Sequence, residues 1–94
     1  MMEIRFHRDA ETGQPHMFKH GVSEEEVAEV LERPWEDRAG AEGSRIALGQ
    51  TRGGRYLRVV YVPDPMPESV FIITAYDLGP KAKRALLRRR RKKR

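Results

Sequence analysis

The residues with the most chemistry in this chain are three arginines and their aromatic neighbours. Arg45, Arg55 and Arg58 lie in or beside one predicted hairpin, with Tyr56 and Tyr61 among them. A guanidinium fork binds two phosphate oxygens at once, and a tyrosine stacks on a base or donates a proton. Residues i and i+2 of a strand project to one face, so Arg58 shares a face with Tyr56, and Arg45 with Ala47 and Gly49. Such a surface suits RNA. It also suits cleavage of RNA without a metal, with the 2′-hydroxyl of the RNA as nucleophile. That reaction needs a base for the 2′-hydroxyl, cations for the phosphorane and an acid for the leaving 5′-oxygen. His20, Lys19, the arginines and the tyrosines fit these roles. Strand surfaces also carry arginine for solubility alone, so composition leaves a plain solvated face as a competing reading.

Other chemistries find little footing. His16 and His20 are four apart, with His7 nearby, which on one helix would suit a metal. Gly21 and Ser23 place the helix start after His20, so the pair falls in a loop and no third ligand has a supporting pattern. Neither a metal nor a cofactor is expected. The 94 residues include no cysteine, which excludes disulfides, thiolate zinc sites and thiol catalysis, and suits a reducing compartment. The serines are Ser23, Ser44 and Ser69, none in a G-x-S-x-G setting. Arg52-Gly53-Gly54-Arg55 has no following helix and so is no phosphate loop.

Charge is split along the chain. Lys81 to Arg94 holds ten basic residues and no acidic one, and the preceding eighty residues hold nine basic and fourteen acidic. A tail of +10 on a body of −5 points to a polyanion, an acidic protein or a membrane surface. Lys81, Lys83, Arg84 and Arg88 are the candidate nucleic-acid contacts there. The longest apolar stretch, Val70 to Tyr76, is far too short to span a bilayer, and Met1 to Arg5 lacks the apolar core of a secretory signal. The expected location is the cytoplasm, with no membrane partner.

The elements that must position these groups follow from periodicity. Glu3 to Arg8 alternates weakly and reads as a first strand. Ser23 with Glu26 forms a capping box, and Val27, Val30 and Leu31 give a helical stripe that Pro34 ends. Trp35 to Gly43 reads as a short strand or loop. Arg45 to Thr51 and Tyr56 to Val62 form a hairpin around Gly53-Gly54. Val70 to Tyr76 suits a central strand buried on both faces. Gly79-Pro80 opens a last helix with Leu78, Ala82, Ala85 and Leu86 on one stripe. The expected fold is α+β: an antiparallel sheet of four to five strands, with one helix after the first strand and a C-terminal helix, both helices on one face. Residues 1–88 form one domain, and 89–94 a basic tail expected to fray because like charges at i, i+4 repel. Open sheet edges make a homodimer plausible.

Several segments, in order, resemble BrnT-type toxins of the RelE superfamily. Lys19-His20-Gly21-Val22-Ser23 before an acidic helix is similar to that family's K-H-G-[VI]-S opening. Arg45 to Thr51 resembles its R-x-x-x-G-x-[ST] strand, Gly54 to Tyr61 its G-R-x-L-x-V-V-[YH] strand, and Ile72 to Ala75 its I-I-S-A strand. The resemblance implies a RelE-like fold, metal-independent endoribonuclease activity, and neutralisation by a small antitoxin protein in a type II toxin–antitoxin pair. Carried over by position, it marks Lys19, His20, Arg45, Thr51 and Arg55. Tyr76 stands where those toxins have arginine, and the last helix lacks their glutamate. His16, Gly21 to Glu26 and Ile73 to Tyr76 also resemble a neighbouring uncharacterised family, with a histidine before a G-[IV]-S-x-E-E helix and a [VI]-[VI]-T-x-Y strand. The expected catalytic set is then His20 or Tyr76 for proton transfer, with Arg45, Arg55 and Arg58 on the phosphate. Lys19, Thr51, Lys81, Lys83, Arg84 and Arg88 would hold the nucleic acid. The alternatives are a non-catalytic module of the same fold that binds nucleic acid or protein, and a protein adaptor.

Overall fold

A computed structural model describes residues 3–65 and 68–92. Strands β1 (Glu3–Phe6), β2 (Glu36–Ala39), β3 (Arg45–Gln50), β4 (Tyr56–Pro63) and β5 (Ser69–Asp77) form one sheet in the order β1-β5-β4-β3-β2. Helices α1 (Glu24–Glu32) and α2 (Pro80–Lys92) complete an α+β fold. One turn of 3₁₀ helix, His16–His20, precedes α1.

The helix start is where the sequence places it. Ser23 Oγ accepts from the Glu26 N–H at 3.1 Å, and Glu26 Oε1 accepts from the Ser23 N–H at 3.0 Å. These two bonds satisfy amides that the helix itself cannot. Val27 and Val30 are fully buried on the inner side of α1. Gly49 of β3 lets α1 approach closely, since a Cβ there would meet Val30 Cγ1 at 3.2 Å.

Three expectations change. The sheet is mixed, because β1 runs parallel to β5 while every other pair is antiparallel. The chain crosses from β1 to the far edge through α1, and three reversals bring β5 back beside β1 in the same sense. The central strand is β4, and β5 is buried on one face only. Val70, Ile72 and Ala75 are buried, whereas Phe71, Thr74 and Tyr76 are half-buried. A register shift between Val60 and Tyr61 breaks the alternation and hides this in the sequence.

The helices also lie on opposite faces. Ala47, Leu57 and Val59 share a core with Val27 and Val30 of α1. Leu48 and Arg58, one residue out of phase, instead line a groove with Ala82 and Ala85 of α2. Alternation along a strand makes these two faces distinct.

The tail is more ordered than charge repulsion suggests. The helix runs through Lys92, past the expected limit at Arg89. Arg89 forks onto Glu36 at 2.6 and 2.9 Å, and Arg90 lies 3.9 Å from the Trp35 ring centroid. Lys83 sits over Tyr56, and Leu86 is fully buried. Counter-charge and aromatic faces on the sheet offset the repulsion within the helix. Lys93 and Arg94 lie outside the described residues. No helix among the described residues is long and apolar enough to cross a membrane.

Candidate functional site

The sheet face beneath α2 brings three of the predicted residues together. Arg58 of β4 and Tyr76 of β5 are cross-strand partners. The Arg58 guanidinium lies 5.8 Å from the Tyr76 ring centroid, and its Nη1 reaches the Tyr76 hydroxyl at 3.5 Å, the outer limit of a hydrogen bond. The exposed His20 ring lies 5.7 Å from the Tyr76 ring. The 3₁₀ turn makes this possible: it buries Met17 in the core while His20 stays out beside β5. Gly21 closes that turn in the left-handed region at φ 68°, which a side chain would strain.

The rings continue past His20. His16 lies 5.7 Å from it, and His7 lies 6.0 Å from His16. His16 Nδ1 and Lys19 both bond Asp9, at 2.9 and 3.2 Å, and His16 is the main reason the Asp9 carboxyl is held below the ordinary range. Lys19 is therefore paired, though still exposed. Among the described residues, no three histidine, aspartate or glutamate side chains are grouped to hold a metal.

Arg58 differs from the other strand arginines in being uncommitted. Among the described residues no carboxylate pairs with it, and its Nε is buried without a partner. An unmet donor of this kind costs about 1–3 kcal/mol.

Arg55 is the opposite case. Nε and Nη2 fork onto Asp77 at 2.6 and 2.8 Å. Nη1 donates to the Gly21 carbonyl at 2.7 Å and to Glu26 Oε1 at 3.0 Å, and Nη2 to the His20 carbonyl at 3.0 Å. All five guanidinium donors are used. The fork on Asp77 is the largest influence raising the Arg55 pKa, and the same bond holds the Asp77 carboxyl below its usual range. Arg55 is a clasp between the β3–β4 hairpin, the 3₁₀ turn, α1 and β5, with no donor left for a phosphate. Its expected place on the phosphate is corrected accordingly.

Arg45 and Thr51 are also drawn away. Arg45 lies on the α1 face, where its Nε donates to Asp37 at 2.8 Å. The Tyr61 hydroxyl makes a short bond to the same carboxylate. Burial, then that bond, pushes the Tyr61 phenol up to about 12. Thr51 is 5 % exposed, and its Oγ1 accepts from the Arg55 N–H at 3.1 Å, so it shapes the hairpin.

Beside the cluster runs a groove of about 530 Å³ between α2 and the sheet, with Arg38, Arg58 and Lys81 on its walls. Lys81, Arg84 and Arg88 are exposed and follow one side of α2, whereas Lys83 is taken up by Tyr56. Arg38 and Asp77 have no mark in the sequence, and Glu26 reads there as the capping-box residue alone. Only strand register identifies Arg38, because Arg38 pairs with Ile46 and so shares the face of Leu48 and Arg58.

A family model described as "Domain of unknown function (DUF4258)" matches residues 13–77. The span takes in His20, Arg58 and Tyr76 and stops three residues before α2. No curated protein matches the chain.

Proposed function

We propose, for a chain that belongs to the DUF4258 family, that it is a cytoplasmic RNA-contacting domain with metal-independent endoribonuclease activity at His20, Tyr76 and Arg58. The supporting observation is Arg58: a guanidinium with no carboxylate partner among the described residues, stacked on Tyr76 beside His20 and lining the cationic groove. His20 and Tyr76 take the proton of the 2′-hydroxyl and return one to the 5′-oxygen, in whichever order the bound strand dictates. Arg58 meets the charge that grows on the phosphorane, where a fixed cation acts most strongly. The likeness to BrnT-type toxins extends the reading to a toxin of a type II pair with a small antitoxin partner. The two outer strands, β1 and β2, are open edges on which such a protein or a second copy could add.

The test is incubation of the full chain with single-stranded RNA in a chelator, with the product ends analysed. Fragments ending in a 2′,3′-cyclic phosphate, and a rate cut about 10²–10⁴-fold by Tyr76→Phe or His20→Gln, support the reading. Intact RNA held tightly by soluble protein would replace it with the non-catalytic binding module. The locking of Arg55 favours that second reading, since it removes one expected cation from the phosphate.

A further inference from the structure

We propose that the groove between α2 and the sheet is a subsite for one unpaired nucleotide of a single-stranded RNA. Its base lies on the groove floor and its phosphates on Arg38, Arg58 and Lys81. The inference rests on the RNA reading above and adds the form of the substrate and the place of its base.

The floor is apolar. Pro80, Ala82 and Ala85 of α2 supply its open surface, with Leu48 buried beneath them at 1 % exposure. Two alanines, where larger side chains would fill the space, leave about 530 Å³ open. That volume falls within the roughly 300–1,000 Å³ typical of small-molecule sites. The walls carry only one sign. Among the described residues no aspartate or glutamate lines the groove. Arg38 has its side chain half exposed, with a loose contact to Glu36 at 3.9 Å. Lys81 is exposed, and Arg58 lacks a carboxylate partner among the described residues. The remaining cation, Arg89, is spent on Glu36 and serves as wall.

An apolar floor between cations matches a base flanked by its phosphates. A duplex offers the phosphates, but its bases are stacked and paired inside and cannot reach the groove floor. Arg58 ties the groove to the cluster. Turning its guanidinium from the Tyr76 ring to a phosphate in the groove gives the unpartnered Nε an acceptor. That phosphate is then the linkage set beside Tyr76 and His20.

The test uses the intact chain and a labelled 2′-O-methyl oligouridine, which lacks the nucleophile and stays whole. The same strand annealed to oligoadenylate is the duplex probe. The single strand should bind at least about tenfold more tightly. Ala85→Phe, which fills the floor without changing charge, should cost the single strand about tenfold and the duplex nothing. Arg38→Gln should flatten the log–log salt dependence by about 0.7, the value for one phosphate contact on a single strand. Because Ala85→Phe also risks unseating α2, uridine monophosphate is titrated into the wild-type chain. Shifts of the Leu48, Ala82 and Ala85 methyl resonances are expected. Equal affinity for duplex and single strand, or unmoved methyl resonances, would overturn the subsite and leave RNA contact standing as phosphate binding alone. Failure of both probes to bind at low salt would remove the RNA reading and the subsite together.

Discussion

Arg55→Ala should destabilise the whole domain rather than silence an otherwise intact site. The guanidinium makes five bonds to four residues, and its own side chain is 27 % exposed. The fork on Asp77 counts for little in stability, because Asp77 is 56 % exposed and water screens the pair. The other three bonds matter more. They satisfy the His20 and Gly21 carbonyls and join Glu26, the capping-box residue, to the hairpin. At about 0.5–1.5 kcal/mol net for each such bond, with a small addition for Asp77, the loss comes to about 2–4 kcal/mol. For a domain of this length that lowers Tm by roughly 10–25 °C. Circular-dichroism melts of the wild type, Arg55→Ala and Arg55→Lys would measure it. Lysine keeps the charge but cannot fork, so it should recover only part of the loss. Hydrogen exchange should open first from Val22 to Val27, where the clasp holds the capping box. A melt of Arg55→Ala within about 2 °C of the wild type would refute the clasp and return Arg55 to the candidate catalytic set. An Arg55→Ala chain that loses activity and stability together carries no information about chemistry.

Arg58→Gln should leave Tm within a few degrees while cutting RNA cleavage about 10²-fold or more, because Arg58 makes one stacking contact and no ion pair among the described residues. Tyr61 should titrate near pH 12 by ultraviolet difference absorbance, and Tyr61→Phe should remove that step. A phenol with a raised folded pKa contributes its full stability below pH about 10, and loses it as pH climbs from there to about 12. In acid the sign reverses. Asp9, Asp64 and Asp77 are held low by their partners, so their contribution is complete above pH about 4 and is lost as pH falls through their depressed folded values. Asp77→Asn should flatten that part of a Tm-against-pH curve. The double change Arg84→Gln with Arg88→Gln should reduce the salt slope of single-stranded RNA binding by about 1.4 at constant Tm. Arg89→Gln, which breaks the fork on Glu36, should lower Tm.

Local signals carried most of the fold. The capping box, the Gly-Gly hairpin, Pro34 and Gly79-Pro80 act within a few residues, and each marks a boundary to within one or two positions. Strand pairing does not act locally. Nothing near Ile4 or Phe6 says that β1 will lie parallel to β5, and the register shift at Val60 makes β5 read as doubly buried. The candidate site divides along the same line. Arg58 and Tyr76 carry no local mark of being partners, and Arg45 looks equivalent to Arg58 until register puts Leu48, not Ala47, beside Arg58. Arg55 was the most misleading residue. A guanidinium near a hairpin suits phosphate until the carbonyls of His20 and Gly21, more than thirty residues away, are seen to take its donors.

The basic block shows why charge has to be read one side chain at a time. As a sum, the cations from Lys81 onward repel one another and should fray the helix. In the structure Arg89, Arg90 and Lys83 hold α2 down through Glu36, Trp35 and Tyr56, and buried Leu86 adds apolar contact. Lys81, Arg84 and Arg88 keep their charge exposed on the other side. The two groups have opposite consequences for experiment. A chain cut at Pro80 loses the exposed cations proposed to bind RNA, but it also uncovers Leu48, Trp35 and Tyr56, so weaker RNA binding by that fragment does not identify α2 as a binding arm. Only substitutions confined to the exposed side separate the helix as ligand contact from the helix as lid over the sheet face where Arg58 meets Tyr76.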